Sequence, residues 1–502
     1  AGKGVTTGVN NVFIGLQAGQ YNAGGSSNTI IGYLAGRNNT GNYNTILGYD
    51  AGMTQTSSGR NTFLGYGAGK DYAQTGENKN TAVGMYAMTD IQSGSNNTAL
   101  GYQALAGVNG SDNDFNTAVG YQALFATNGG DNNTAIGYQA LTASTTAHSN
   151  VAIGYLALDS TTAGSENVAI GAYAGQSIVG GNSTTGGFNV FVGHTAGYLM
   201  TGNVSYGGNT MVGHAAGYSA TGADRSTGIG GSALYYADGA KYNTAVGRVA
   251  GAYAKGTGST HVGDSSGYRV SGNYNVSVGY GALSGASTGT GFGTATQNVA
   301  IGHNAASNVT TANKTVAIGE RALHGITTAV KTIGIGYYAG YAQTTDADGA
   351  IYIGHAAGYS DVGTTRNIFI GNDCGQNNTT GENNLAIGYK ALEDNITGIH
   401  NVSIGRSSSL QLKGNQNVAV GTFALGAAVT QYYNTAIGDG AMRGSTGGDR
   451  NTAIGYHAIG NDTTGTGGSK NTALGFGALR LNSASNTTAI GYESMNVNTS
   501  GE

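Results

Sequence analysis

The chain has 502 residues, with 92 glycines, no proline, no tryptophan and one cysteine, and its 21 basic and 25 acidic residues leave a net charge of −4. Glycine without proline excludes collagen, a hydrophobic content of 39% excludes ordinary charge-driven disorder, and a single cysteine excludes an intramolecular disulfide. Lys and Arg are sparse and scattered, so no basic face for nucleic acid is expected, and no apolar run is long enough to span a bilayer as a helix.

Taken in chain order, the sequence is one short motif repeated. Asn11–Gly19 reads NVFIGLQAG, Asn44–Gly52 reads NTILGYDAG, Asn133–Leu141 reads NTAIGYQAL and Asn451–Ile459 reads NTAIGYHAI. With the glycine after the first aliphatic as position 0, the motif recurs 28 times from Gly15 to Gly491, most often every 17 residues and at spacings from 16 to 23. Position −1 is always Ile, Val or Leu, position −3 is Thr, Val or Ile in 27 copies with Leu385 the exception, and position −4 is Asn in 22. Position +3 is Ala in 24 copies, position +1 is Tyr in 12, and position +4 alternates between Gly and a larger aliphatic.

The alternation around −3 and −1 has period two and is rich in β-branched residues, which predicts strand. Gly, Ser, Thr, Asn and Asp between motifs predict turns. A period near 17 is too short for a helical hairpin, so each repeat is expected to form one coil of β-structure. The expected fold is all-β: a parallel β-solenoid of about 28 coils of commonly 17 residues, a single domain over 1–502 with repeats from about 11 to 495 and no separate caps. Stacking would turn each position into a ladder. The −1 residues, Ile136, Ile153 and Ile454 among them, are expected to form an aliphatic core ladder, with −3 on the same inward face. Asn44, Asn133 and Asn451 are expected to form an amide ladder. Gly137, Gly154 and Gly455 are expected to allow a sharp corner or positive φ. Ala140 marks a slot for small side chains, which Cys374 also occupies.

The motif N-[TV]-A-[IV]-G-x-x-A, carried by Asn133, Ala135, Ile136, Gly137 and Ala140, resembles the head repeats of trimeric autotransporter adhesins (YadA-like heads) and similar repeats of phage and virus tail fibres. The resemblance covers the chain from Asn11 to about Met495. It implies a left-handed parallel β-roll, association of three chains, and binding to host surfaces or matrix. The family repeat is shorter, and no heptad stalk, neck or C-terminal membrane barrel is evident in this chain.

His194, His214, His303 and His355 occupy the +1 slot where Tyr is commonest; a metal stripe is one reading, and replacement of Tyr on an amphipathic surface the favoured one. Cys374 reads as a small buried hydrophobe rather than a nucleophile. The acidic loops Ser111–Asp114 and Gly129–Asn132 are candidates for calcium but lack a repeated ligand register. Glycosylation sequons at Asn308–Thr310 and Asn395–Thr397 are what an Asn/Thr-rich chain produces by composition. No phosphate-binding glycine motif or catalytic carboxylate pair is apparent, so no enzyme and no cofactor is expected. Long insertions, Ser177–Gly187 and Ser284–Gln297, are places where a solenoid would carry surface function.

The expected function is that of a structural extracellular fibre or matrix protein that self-assembles, by end-to-end stacking of uncapped coils. The alternatives are a trimeric receptor- or glycan-binding adhesin or tail-fibre shaft, and an ice-binding protein, since 15 repeats carry Thr at −3. Those threonines are expected to point inward, on the face of the core aliphatics. The expected partners are the chain itself, as homo-oligomer, trimer or filament, and a host surface or matrix glycan, with no nucleic acid and no membrane insertion. The expected location is extracellular, or on a cell or virion surface.

Overall fold

The fold was established from a computed structural model of the chain. It describes residues 1–72, 74–107, 113–161, 164–178, 187–200, 207–285, 293–344, 348–363, 365–426, 430–445, 447–460 and 468–498. Residues 179–186 of the first long insertion and 286–292, half of the second, therefore lie outside the described residues, as do Ser111 and Asp112 of the first acidic loop.

Among the described residues the protein is all-β, without helix, and it divides into two compact units, Ala1–Thr257 and Gly258–Glu502. The first carries one three-residue strand per coil from Val12–Ile14 to Thr244–Val246, and the second from Thr260–Val262 to Thr488–Ile490. Within each unit, successive strands pair parallel and in register. Thr134, Ala135 and Ile136 face Val151, Ala152 and Ile153, which in turn face Val168, Ala169 and Ile170. The coil of about 17 residues per turn is thus a β-solenoid.

The core is built from the small positions. In each strand the middle residue, −2, points inward and is buried, as Ala135, Ala152 and Ala453 are. The +3 alanines, Ala140 among them, line the opposite wall, and the larger +4 residues such as Leu141 fill the space between. The −1 residues do form a registered ladder, but on the outside. Ile136 is 38% exposed and Ile454 36%, and Ile153 is half-buried. The inward core ladder expected of Ile136, Ile153 and Ile454 is therefore corrected to an outward one. The threonines at −3 point outward with them. A three-residue strand has only one inward position, its middle residue, so −3 and −1 both face outward.

Positions −2 and +4 compensate in size. Where −2 is Ala, +4 is usually large: Ala99 with Leu105, Ala135 with Leu141, Ala436 with Met442. Where −2 is large, +4 is glycine: Phe63 with Gly69, Phe191 with Gly197, Met211 with Gly217, Phe369 with Gly375. A Cβ on Gly69 would stand 2.7 Å from the Phe63 ring, and one on Gly197 2.3 Å from Phe191. In most coils one bulky group, delivered from either wall, fills the interior toward close packing, whereas coils such as Ala169 with Gly175 and Gly334 with Gly340 carry none at either position.

Glycine at position 0 is required twice over. Gly137 has φ +140°, and a Cβ there would lie 2.3 Å from the carbonyl oxygen of Gly154 in the next coil. Gly154 and Gly455 repeat this, with φ +141° and +132°. The corner and positive φ expected of these glycines are present, and the coils pack so closely that any side chain would push them apart.

The Asn ladder runs through the interior edge. The amide of Asn133 accepts the backbone N–H of Asn150 at 3.0 Å, and its Nδ2 donates to the Ala147 carbonyl at 2.9 Å. Asn44 does the same with the Asn61 N–H, 2.9 Å, and the Ser58 carbonyl, 3.0 Å. Asn451 accepts from the Asn471 N–H at 2.8 Å. Each of these three Asn side chains thus accepts a backbone N–H of the next coil, and Asn44 and Asn133 also donate to a carbonyl there, where strand pairing has stopped. Ser226 and Ser259 stand in as acceptors for the N–H groups of Asn243 and Asn275.

Candidate functional site

Two surface features repeat with the coil. The first is the outer face of the sheet. From Val276–Val278 to Val418–Val420, nine successive strands of the second unit carry only Val, Ile or Leu at both outward positions. At ~4.8 Å per rung this two-column aliphatic stripe is roughly 40 Å long. Its members are half-buried to exposed, with Ile301 at 39%. In the first unit the −3 column is instead Thr over seven successive coils, from Thr29 to Thr134, beside Ile, Leu and Val at −1.

The second feature is a column of tyrosines beside the face, at position +1. Tyr102, Tyr121, Tyr138 and Tyr155 stack ring on ring at 5.2, 5.0 and 5.2 Å, with planes within 14° of parallel. Tyr33, Tyr49 and Tyr66 stack the same way at 4.9 and 5.0 Å. In-register pairing forces this, because each ring sits one rung above its equivalent. The stacked rings show solvent their edges and hydroxyls, not their faces.

The histidines of the +1 slot join these stacks. His194 stacks on His214 at 5.4 Å, His303 on Tyr280 at 5.5 Å and His355 on Tyr337 at 5.3 Å. His303 also faces Glu320 at 3.7 Å, and His355 faces Asp373 at 3.4 Å. No group of three or more His, Cys, Asp or Glu side chains that could hold a metal is gathered among the described residues. In the acidic loops, Asp131 accepts the backbone N–H of Asp114 at 2.7 Å, and Asp114 accepts that of Ser95 at 2.5 Å. These carboxylates cap backbone along the stack rather than converge on one point.

Cys374 is buried in the +3 slot, where its Sγ donates to the Ala386 carbonyl at 3.2 Å. Burial pushes its thiol up to about 12, so it carries no thiolate at neutral pH. One buried group escaped sequence reasoning. His261 sits at the inward −2 position, with Nδ1 2.7 Å from Ser277 Oγ, and Ser277 Oγ is in turn 2.6 Å from Ser266 Oγ. Its register position, and Gly267 at +4, were the available signals. A surface hollow is lined by Asn377, Asp394, Ile396, Gln411 and Lys413, and Asp394 accepts a hydrogen bond from Asn377 at 2.9 Å.

The chain matches no protein-family profile and no curated protein sequence. No helix of the described residues is long and apolar enough to cross a membrane.

Proposed function

We propose that this protein is a structural, self-associating fibre protein whose copies pack side by side through the outer sheet face. The observation that carries the reading is the aliphatic stripe of the second unit. An apolar surface of that length, uninterrupted by charge, is characteristic of an interface. Its chemistry also selects the partner. The columns repeat at the rung spacing, and a surface must share that period to match them along their length. A second copy of the chain shares it by construction, and cyclic closure would hide the stripe in every copy. The low net charge opposes such packing little. An extracellular or surface location suits a fibre of this kind.

The test is the native mass and sedimentation behaviour of the intact chain beside the triple variant Ile318→Glu, Ile335→Glu, Ile353→Glu. The expected result is a defined oligomer for the parent and a monomer with unchanged circular dichroism for the variant. A monomeric parent at high concentration would overturn the reading.

The outward threonine column of the first unit favours a second reading, ice binding, since Thr29 to Thr134 recur at regular rung spacing on the outer face. Thermal hysteresis in the intact protein would support it, and its absence would remove it.

A further inference from the structure

The tyrosines of the first unit do more than stack in short runs. Their rings form one unbroken series of near neighbours. It begins Tyr33, Tyr49, Tyr66, Tyr86, Tyr102, with centroid separations of 4.9, 5.0, 5.3 and 6.5 Å. It continues through Tyr121, Tyr138 and Tyr155 to Tyr173, which lies 5.2 Å from Tyr155. Tyr173 passes it at 6.1 Å to Tyr198, which starts a second stack with Tyr218 and Tyr235 at 5.0 and 4.9 Å. Tyr236 and Tyr253 extend the series at 4.5 and 5.3 Å. Where the rings are parallel they overlap. The rings meet edge-on at five steps: Tyr66–Tyr86, Tyr86–Tyr102, Tyr155–Tyr173, Tyr173–Tyr198 and Tyr235–Tyr236.

We propose that this tyrosine column is an oxidative modification site, along which a one-electron oxidation migrates and ends as dityrosine between successive coils. Phenol is the side chain in the column that a one-electron oxidant converts to a persistent radical. The oxidant takes one electron from an exposed tyrosine, whose hydroxyl proton passes to water, and a phenoxyl remains. A neighbouring phenol then gives its electron and proton to that phenoxyl, which returns to tyrosine as the neighbour becomes the radical. Two phenoxyls generated by two oxidant molecules and meeting on adjacent coils join through their ortho carbons. Each ortho hydrogen leaves as a proton, each oxygen regains one, and the product is a carbon–carbon staple between residues 17 apart, such as Tyr121 and Tyr138. The oxidant required is a one-electron acceptor of the haem-peroxidase or photogenerated metal-complex class. The proposal does not depend on self-association, since the staple joins coils of one chain.

Exposure alone predicts a different outcome. Tyr43, at 61%, and Tyr274, at 60%, are more exposed than Tyr121 or Tyr138, at 42% and 43%, and neither belongs to the column. The intact protein is irradiated briefly with tris(bipyridyl)ruthenium and persulfate, at dilution, and linked peptides are mapped by mass spectrometry. The expected products are dominated by Tyr102–Tyr121, Tyr121–Tyr138 and Tyr138–Tyr155 links. In Tyr138→Phe, a substitution that keeps the stack because Phe476 already occupies this slot, the Tyr121–Tyr138 and Tyr138–Tyr155 links vanish and Tyr102–Tyr121 rises at least about twofold. Circular dichroism confirms that the variant is folded. Modification that follows exposure, with Tyr492, at 73%, Tyr43 and Tyr274 leading and Tyr102–Tyr121 unmoved by the substitution, would overturn the proposal.

Discussion

At the scale of the residue, the interior imposes its rules on every polar group it takes in. His261 is 1% exposed, and burial lowers its imidazole to about 4. In the unfolded chain the same ring titrates near ~6.5. Between those two values the unfolded state binds the proton and the folded state does not, so stability falls with pH across that window. The full contribution is present above the unfolded value and is lost by about pH 4, a penalty on the order of 3 kcal/mol. His261→Phe, which reproduces the Phe–Gly pairing of other coils with Gly267, is expected to reduce the dependence, leaving the part contributed by His324, whose imidazole burial also lowers. Urea titrations at pH 7 and pH 4.5 measure it, and an unchanged pH slope in the variant would remove His261 as the cause. The Asn ladder follows similar logic. Asn133→Ala leaves the Asn150 N–H and the Ala147 carbonyl without their partner, at a cost of about 1–3 kcal/mol each way the group is buried. Asn133→Ser is expected to cost less, because Ser226 accepts the corresponding N–H at 3.3 Å. Equal losses for the two variants would show that the acceptor matters little.

At the scale of the coil, the unit of packing is the pair −2 and +4. Phe63→Ala is expected to cost about 3–5 kcal/mol by cavity formation. Adding Gly69→Leu to it is expected to restore more than half, since leucines at +4 adopt the same backbone, φ +54° at Leu141 against +59° at Gly69. Gly69→Leu alone drives a side chain into the Phe63 ring and is expected to destabilise. Chemical denaturation of the three variants checks this, and additive losses would refute the compensation. The same pair explains which part of the fold was legible beforehand. Strands, turns, parallel stacking, the Asn ladder and the glycine corner follow from period, β-branching and turn chemistry, which depend only on local sequence. The choice of inner face does not. Alternation separates Thr134 and Ile136 from Ala135 but is silent about which side is enclosed. Hydrophobicity favours Ile136 as core, whereas the width of a one-strand coil favours Ala135. The covariation of Phe63 with Gly69 and of Ala135 with Leu141 held the answer, because only residues that share a cavity trade volume. Inverting the face moved the candidate surface too: aliphatics assigned to the interior became the outer stripe, and threonines assigned inward became exposed.

At the scale of the whole molecule, an outward aliphatic stripe links stability to concentration. If copies bury it against one another, the assembled state alone gains that burial, and mass action raises the apparent stability with protein concentration. The thermal midpoint of the parent is therefore expected to climb by several degrees over a hundredfold rise in concentration. That of the Ile318→Glu, Ile335→Glu, Ile353→Glu variant is expected to stay constant. The driving force identifies itself by its response to conditions. Burial of aliphatic surface weakens on cooling and is nearly indifferent to moderate salt, whereas contacts between charged side chains weaken as salt screens them. Sedimentation of the parent is expected to show dissociation favoured near 4 °C (about the lower limit of ordinary measurement) and little change between low and moderate salt. Dissociation by salt with insensitivity to cold would place the association on the scattered charged residues, and the aliphatic stripe would then need another partner.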